Sequence, residues 1–151
     1  MSTPDSTALD STAPDGTGSN STASKIGWDC VALDCADPGG VATFYAELLG
    51  GTVKADPDGD WFDVVWDGPR IATQLAPEHT SPDWPRGQQQ AHLDFVVADI
   101  AAAHERVLEL GGTALDPVEP PQPKPERGFR VYADPAGHPF CLCRPSKDAW
   151  D

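Results

Sequence analysis

The feature that most constrains this chain is an internal duplication. Leu49-Gly50-Gly51-Thr52 recurs 61 residues later as Leu110-Gly111-Gly112-Thr113, and Asp37 recurs 62 residues later as Asp99. A chain of 151 residues has the usual size of one domain. Two copies of one supersecondary unit are therefore predicted to share that domain.

The first copy predicts a strand, a helix and three more strands. Apolar residues alternate over Gly27 to Cys35, as in a half-buried strand, and Asp37-Pro38 suits the start of a helix. Gly50-Gly51 would end that helix. Its apolar stripe is Val41, Phe44, Tyr45, Leu48 and Leu49. The following strands are predicted at Thr52 to Ala55, Trp61 to Trp66 and Arg70 to Leu75.

The second copy repeats this order. His92 to Val97 is predicted to be a strand, and Asp99 caps a helix that ends at Gly111-Gly112. The remaining strands are predicted at Thr113 to Leu115, Phe129 to Ala133 and Phe140 to Arg144. The fold class is thus α+β, with tandem βαβββ modules whose curved sheets form a cup.

Composition shifts set the predicted boundaries. The first segment is rich in Ser, Thr and Asp and holds almost no large apolar residue, so we expect it to be disordered. A proline-rich loop from Pro117 to Pro125 is too rich in proline for a strand interior. The predicted organisation is a tail at 1–25, a domain at 26–146 (module one 26–76, linker 77–90, module two 91–145) and a second tail at 147–151.

The net charge is -14, from 24 acidic and 10 basic residues. Such a charge disfavours nucleic acid and anionic membranes as partners. No apolar run approaches the roughly 20 residues that span a bilayer, and the first residues lack the features of a secretory signal. The expected location is the cytoplasm, where the four cysteines would be thiols.

Three segments carry a resemblance to a known family. They are Asp37-Pro38 with Phe44 to Gly50, His92 to Asp99, and Asp134-Pro135-Ala136-Gly137-His138-Pro139-Phe140-Cys141-Leu142. In this order, over about residues 26 to 145, they resemble the vicinal oxygen chelate superfamily, which includes glyoxalase I, bleomycin resistance proteins and extradiol dioxygenases. Val31 to Pro38 and His92-Leu93-Asp94 are most similar to its glyoxalase-like branch. The resemblance also implies a homodimer.

Alternation along the strands predicts which side chains face the cup. The side of the first strand that should face the helix carries Val31, Leu33 and Cys35. In the fifth strand the helix-facing side chains should be Leu93, Phe95 and Val97. The residues expected in the cup are Cys30, Ala32, Asp34, Ala72, Gln74, Ala76, His92, Asp94, Val96, Cys141 and Cys143.

The resemblance implies metal ligands at Cys30, Gln74, His92 and Cys141. Both acidic ligand positions of the family are lost, so a standard extradiol dioxygenase is not expected. Two thiols and an imidazole suit Zn²⁺. Alternatively, the cysteines pack as small apolar groups and His92 is a hydrogen-bonded pocket residue; a Cys30–Cys141 disulfide is a third interpretation. We expect no cofactor, with zinc as the alternative.

Asp94 lies two positions from His92 on the same strand face. It can orient the imidazole or act as a general base, so both are candidate catalytic residues; pairing of the carboxylate with Arg130 is the alternative. The candidate ligand pocket is Asp34, Trp61, Gln74, Cys143 and Arg130. Trp61, Phe62 and Trp66 can stack on a planar ligand or pack in the core. His104 is predicted to be structural and His138 to be exposed.

These observations predict a protein that binds a small organic molecule in its cup. The first hypothesis is a lyase or isomerase with an atypical or absent metal site. The alternative is a metal-free protein that sequesters a drug or metabolite, as bleomycin resistance proteins do. The acidic domain favours a cationic ligand.

Overall fold

A computed structural model describes residues 27–87, 90–123 and 127–145. The two tails predicted from the sequence lie outside these residues. Within them, neither helix has the length and apolar character needed to cross a bilayer.

The first module contains the predicted elements. They are β1 (Val31–Cys35), α1 (Pro38–Leu49), β2 (Thr52–Ala55), β3 (Trp61–Val65) and β4 (Ile71–Leu75). The sheet order is β1-β4-β3-β2, with β1 parallel to β4 and the other pairs antiparallel. β1 begins at Val31 rather than at Gly27, because its partner strand begins opposite it at Ile71.

The second module has the same topology. Its elements are β5 (Leu93–Val96), α2 (Ile100–Glu109), β6 (Thr113–Asp116), β7 (Phe129–Ala133) and β8 (Pro139–Cys143). The sheet order is β5-β8-β7-β6, with β5 parallel to β8. The prediction of an α+β fold with two βαβββ modules is confirmed.

Both helices begin where the sequence predicted. The Asp37 carboxylate accepts a hydrogen bond from the amide of Gly40 at 3.0 Å, and the Asp99 carboxylate accepts from the amides of Ala101 and Ala102 at 3.0 Å each. These caps satisfy amides that have no partner within the helix. α1 ends at Gly50, whose φ of 70° is a left-handed conformation that favours glycine.

The faces of the two sheets that carry the helices pack into one shared core. Phe44 and Tyr45 of α1 contact Phe140 of β8, with ring centroids 5.9 and 6.0 Å apart, and Tyr45 contacts Phe95 of β5 at 6.2 Å. Trp66, after β3, also contacts Phe95. The opposite face of each sheet, called here the outer face, therefore points away from the shared core.

The predicted strand alternation is confirmed. Cys35 lies in the core, Leu33 and Leu93 pack against it, and Asp34 and Asp94 are exposed on the outer faces. Alternation thus places Asp34 and Asp94 on the sheet faces that do not carry the helices.

Candidate functional site

Three side chains with reactive groups converge on the outer face of the second sheet. Asp94 in β5 lies directly opposite Cys141 in the parallel strand β8, and His92 immediately precedes β5. His92 Nε2 lies 3.3 Å from Asp94 Oδ1. The imidazole, carboxylate and thiol atoms all lie within 4.8 Å of one another, which no other trio of His, Cys, Asp or Glu achieves among the residues described.

The three side chains differ in their access to solvent. His92 and Asp94 are 56% and 58% exposed, whereas Cys141 is 8% exposed. Burial raises the pKa of the Cys141 thiol to about 12, and the hydrogen bond to Asp94 and its negative charge add to this rise. Cys141 is therefore a protonated thiol that donates to Asp94 at neutral pH. His92 and Asp94 remain accessible to a ligand.

Two of the four ligands implied by the family, His92 and Cys141, belong to this trio. Gln74 lies on the outer face of the first sheet, and Cys30 does not belong to the converging trio. The four cysteines are free thiols, so the hypothesis of a Cys30–Cys141 disulfide is wrong.

The trio nevertheless offers one nitrogen, one oxygen and one sulfur donor. This donor set suits Zn²⁺ with an open coordination position. Asp94 adds a carboxylate oxygen to this set, although both acidic ligand positions of the family are lost in this sequence. Binding would require Cys141 to lose its proton, which its raised pKa opposes.

A cavity of about 410 Å³ lies between the edge strands β1 and β5. Its walls include Val31 and Leu33 from β1, and Leu93 and Phe95 from β5. The other lining residues are Trp28, Tyr45, Trp66, Pro69, Ile71, Ala91, His92, Asp94, His138 and Pro139. The cavity is thus mostly apolar and shares His92 and Asp94 with the trio.

None of the five residues expected to form the ligand pocket lines this cavity. Asp34, Trp61 and Gln74 lie on the outer face of the first sheet, with Trp61 and Asp34 both opposite Gln74. The Trp61 indole donates to Asp63 at 2.9 Å. Cys143 lies on the outer face of the second sheet. Phe62 and Trp66 pack against the core, in agreement with the core interpretation of these aromatic residues.

Arg130 lies on the helix-bearing face of β7, so the predictions that it lines the pocket and pairs with Asp94 are wrong. It is opposite Leu142 in the register of β7 and β8. Its guanidinium donates to the Tyr132 hydroxyl at 3.2 Å and to the carbonyls of Pro117, at 2.8 Å, and Glu119. Arg130 therefore holds the first part of the proline-rich loop against the second module.

His104 has the structural role predicted for it. The imidazole is buried in α2, and its Nδ1 lies 3.1 Å from the Tyr132 hydroxyl. Burial and the positive charge of Arg130 lower the pKa of His104. It is a neutral residue of the core rather than a candidate for catalysis.

His138 is not exposed, in contrast to the prediction. Its Nδ1 lies 2.7 Å from Asp134 Oδ2, and its Nε2 lies 2.9 Å from the carbonyl oxygen of Asp34. Both partners are hydrogen-bond acceptors, so this arrangement is fully satisfied by the doubly protonated, positively charged form of the ring. Asp134 also accepts from the Tyr45 hydroxyl at 2.9 Å. A charged group thus links the β7–β8 turn to β1 and α1.

The stability of the protein should depend on the protonation of His138. Burial alone would lower the pKa of His138, but the hydrogen bond and charge of Asp134, with a contribution from Asp34, outweigh burial and raise it. Tyr45 and the ring of His79, 5.0 Å from that of His138, complete its titratable surroundings. The folded state therefore binds this proton more tightly than the unfolded state.

We expect this contribution to the free energy of unfolding to be fully present below about pH 6.5, the ordinary pKa of histidine. It should be lost as pH rises through the higher pKa of the folded state. Urea unfolding between pH 5.5 and 9 measures it. The variant His138→Gln should remove this pH dependence, and an unchanged profile in the variant would contradict the assignment.

Comparisons with known proteins agree with this architecture. The model of the glyoxalase-like domain matches residues 30–143, which is most of the chain. The chain belongs to the glyoxalase-like family. This places it in the vicinal oxygen chelate superfamily, as the sequence resemblance indicated. No curated protein matches the chain.

Solved structures share the fold at low sequence identity. A hypothetical protein from S. aureus has a TM-score of 0.60 and 17% identity, over 80% of this chain and 95% of that one. A glyoxalase-related enzyme from Fulvimarina pelagi has a TM-score of 0.58 and 21% identity, over 79% and 88%. The fosfomycin resistance protein FosX from Listeria monocytogenes has a TM-score of 0.59 and 15% identity, over 82% and 97%.

Proposed function

We propose that this glyoxalase-like protein binds a small organic molecule beside His92 and Asp94 and acts on it as a lyase or isomerase by proton transfer. The observation that carries this proposal is the contact of 3.3 Å between His92 Nε2 and Asp94 Oδ1 next to a cavity of about 410 Å³. The site thereby combines a base, a group that orients this base and a pocket for an apolar molecule.

The roles of the two residues follow from their contacts. Asp94 Oδ1 lies 3.3 Å from His92 Nε2, so the carboxylate faces this ring nitrogen and Nδ1 is the one proposed to take a proton from a bound molecule. The negative charge of Asp94 stabilises the resulting imidazolium. The Cys141 thiol donates to Asp94 and is a positioning residue. A zinc ion held by His92, Asp94 and Cys141 would supply a Lewis acid to an oxygen of the molecule.

Metal-free sequestration is the second candidate function. The cavity is lined mainly by apolar and aromatic side chains, and Asp94 is the one carboxylate in the part of its lining that the structure describes. This lining retains an apolar molecule without requiring chemistry. The two candidates share a binding site and differ in whether His92 takes a proton.

A second copy of the chain is proposed to cover the outer face of the second sheet. Val96 in β5 and Phe129 in β7 lie on that face, one on each side of Cys143 in β8. They are 68% and 41% exposed. Apolar side chains grouped beside a reactive trio are typical of an interface. We expect a homodimer, and light scattering after size-exclusion chromatography measures it.

Proton transfer is tested by deuterium exchange. Small α-hydroxy and α-keto carbonyl compounds are incubated with the protein in D₂O, and deuterium at the carbon next to the carbonyl is measured by NMR. We expect exchange for at least one compound, and a loss of about 100-fold in His92→Gln and Asp94→Asn, because a positioned base contributes at least this much. Cys143→Ser is the matched control, since it lies on the same face outside the trio.

Metal content is measured on the same samples by mass spectrometry. Exchange without bound metal supports acid–base catalysis by the residues alone, and exchange that requires zinc supports the zinc-assisted form. If a compound binds and no proton exchanges, sequestration replaces the enzymatic proposal. If no compound binds or exchanges, the proposed function is wrong for this class of molecule.

A further inference from the structure

We propose that the cavity between β1 and β5 binds a planar aromatic cation, such as a fused-ring molecule that carries a basic nitrogen. The proposal rests on the proposed function, since it names the ligand class of the same site. It depends on the volume of the cavity, on its aromatic walls and on the charge of the residues that line it.

The walls suit a flat apolar molecule. Trp28, Tyr45, Trp66 and Phe95 line the cavity, and the rings of Trp66 and Phe95 lie edge to face with centroids 6.3 Å apart. Aromatic side chains stack on flat rings at little entropic cost. A volume of about 410 Å³ accommodates roughly 20 non-hydrogen atoms, at the lower end of the range of ligand pockets.

Trp28 supports this interpretation independently. It lies in the segment before β1 and is 77% exposed, which is unusual for a tryptophan at the wall of a cavity. An exposed indole there provides a surface on which a ligand ring can stack. Binding would remove this apolar surface from water.

The charges that line the cavity select a cation. Among the described residues that line it, Asp94 is the one carboxylate and there is no lysine or arginine. The charge of the His138 imidazolium is compensated by Asp134 at 2.7 Å. The chain as a whole carries a net charge of -14, which raises the local concentration of cations. The aromatic walls also attract a cation through the faces of their rings.

The proposal is tested with two probes of the same size and opposite charge. Proflavine is a planar cation with three fused rings, and 9-anthracenecarboxylate is a planar anion with three fused rings. Binding of each to the full chain is measured by quenching of tryptophan fluorescence and by calorimetry. We expect proflavine to bind at least tenfold more tightly than the anion.

Two kinds of variant assign the site. Asp94→Asn should weaken proflavine binding about tenfold and leave the anion unchanged or bound more tightly. Leu33→Trp fills the cavity and should weaken both probes, and Val31→Phe is a milder substitution in case Leu33→Trp does not fold. Asp34→Asn is the matched control, because Asp34 has the same charge and lies outside the cavity.

Equal affinity for the two probes would overturn the proposal, as would proflavine binding that the cavity-filling variants do not change. The outcome is separable from that of the exchange experiment. Proflavine binding without proton exchange supports the cavity assignment and contradicts enzymatic proton transfer on the carbonyl compounds tested. Proton exchange without binding of either probe contradicts the cavity assignment alone.

Discussion

Replacement of Asp134 with alanine should lower the free energy of unfolding by about 3 to 5 kcal/mol, the usual effect of removing one partner from a buried ion pair. The Asp134 side chain is 0% exposed. It accepts hydrogen bonds from the Tyr45 hydroxyl, from His138 Nδ1, and from the amides of Ala136 and His138, at 2.7 to 3.0 Å. Alanine would leave these donors without their acceptor and the His138 charge without compensation.

Two variants separate the contributions of this cluster. Tyr45→Phe removes one hydrogen bond and should cost about 1 kcal/mol or somewhat more. Asp134→Asn keeps the size of the side chain and removes its charge, so its effect should lie between those of the other two. Urea unfolding at pH 6 and circular dichroism measure all three. A loss below 1 kcal/mol for Asp134→Ala would show that this ion pair does not stabilise the junction between the modules.

Replacement of Phe140 with alanine should lower the free energy of unfolding by about 3 to 5 kcal/mol, as is usual for a large buried aromatic residue. Phe140 is 0% exposed. Its ring centroid lies 5.7 to 6.0 Å from those of four other aromatic residues, Phe44, Tyr45, Phe95 and Tyr132. Two of these belong to α1, so the ring joins the first module to the second sheet.

The neighbouring strand offers a matched control for Phe140. Phe129→Ala also removes a phenyl ring, but from a side chain that is exposed on the outer face. It should change the free energy of unfolding of the monomer by less than about 1 kcal/mol. Phe140→Leu keeps much of the apolar volume and should cost less than the alanine variant. Similar losses for Phe129→Ala and Phe140→Ala would contradict the shared core described above.

Local structure was predictable because it depends on short-range chemistry. Asp37 and Asp99 are capping residues that act within three positions, and Gly50 provides a left-handed turn that other residues adopt at a cost. Strand alternation placed His92 and Asp94 on one face, because successive side chains of a strand point in opposite directions. The structure confirms these predictions and shows that Cys141 is the third member of the trio.

His138 and Arg130 show where this reasoning fails. The contact of His138 with Asp34 joins residues 104 positions apart, and that of its partner Asp134 with Tyr45 joins residues 89 positions apart. A Gly-His-Pro turn resembles any exposed turn. In β7 the apolar residues Phe129 and Val131 lie on the outer face, whereas Arg130 lies on the core face with Tyr132. Polarity alone therefore indicates the wrong side for Arg130.

The sequence by itself determined that this chain forms two βαβββ modules and which faces of β1 and β5 pack on the core, because periodicity, caps and turns act within one module. Only the tertiary structure decided which faces of the two modules meet. Each sheet must bury its helix-bearing face, and α1 does so against both sheets through Phe44, Tyr45 and Phe140. Pairing of β5 with β8 brings Asp94 opposite Cys141, and the packing of the modules leaves a cavity lined by the edge strands β1 and β5.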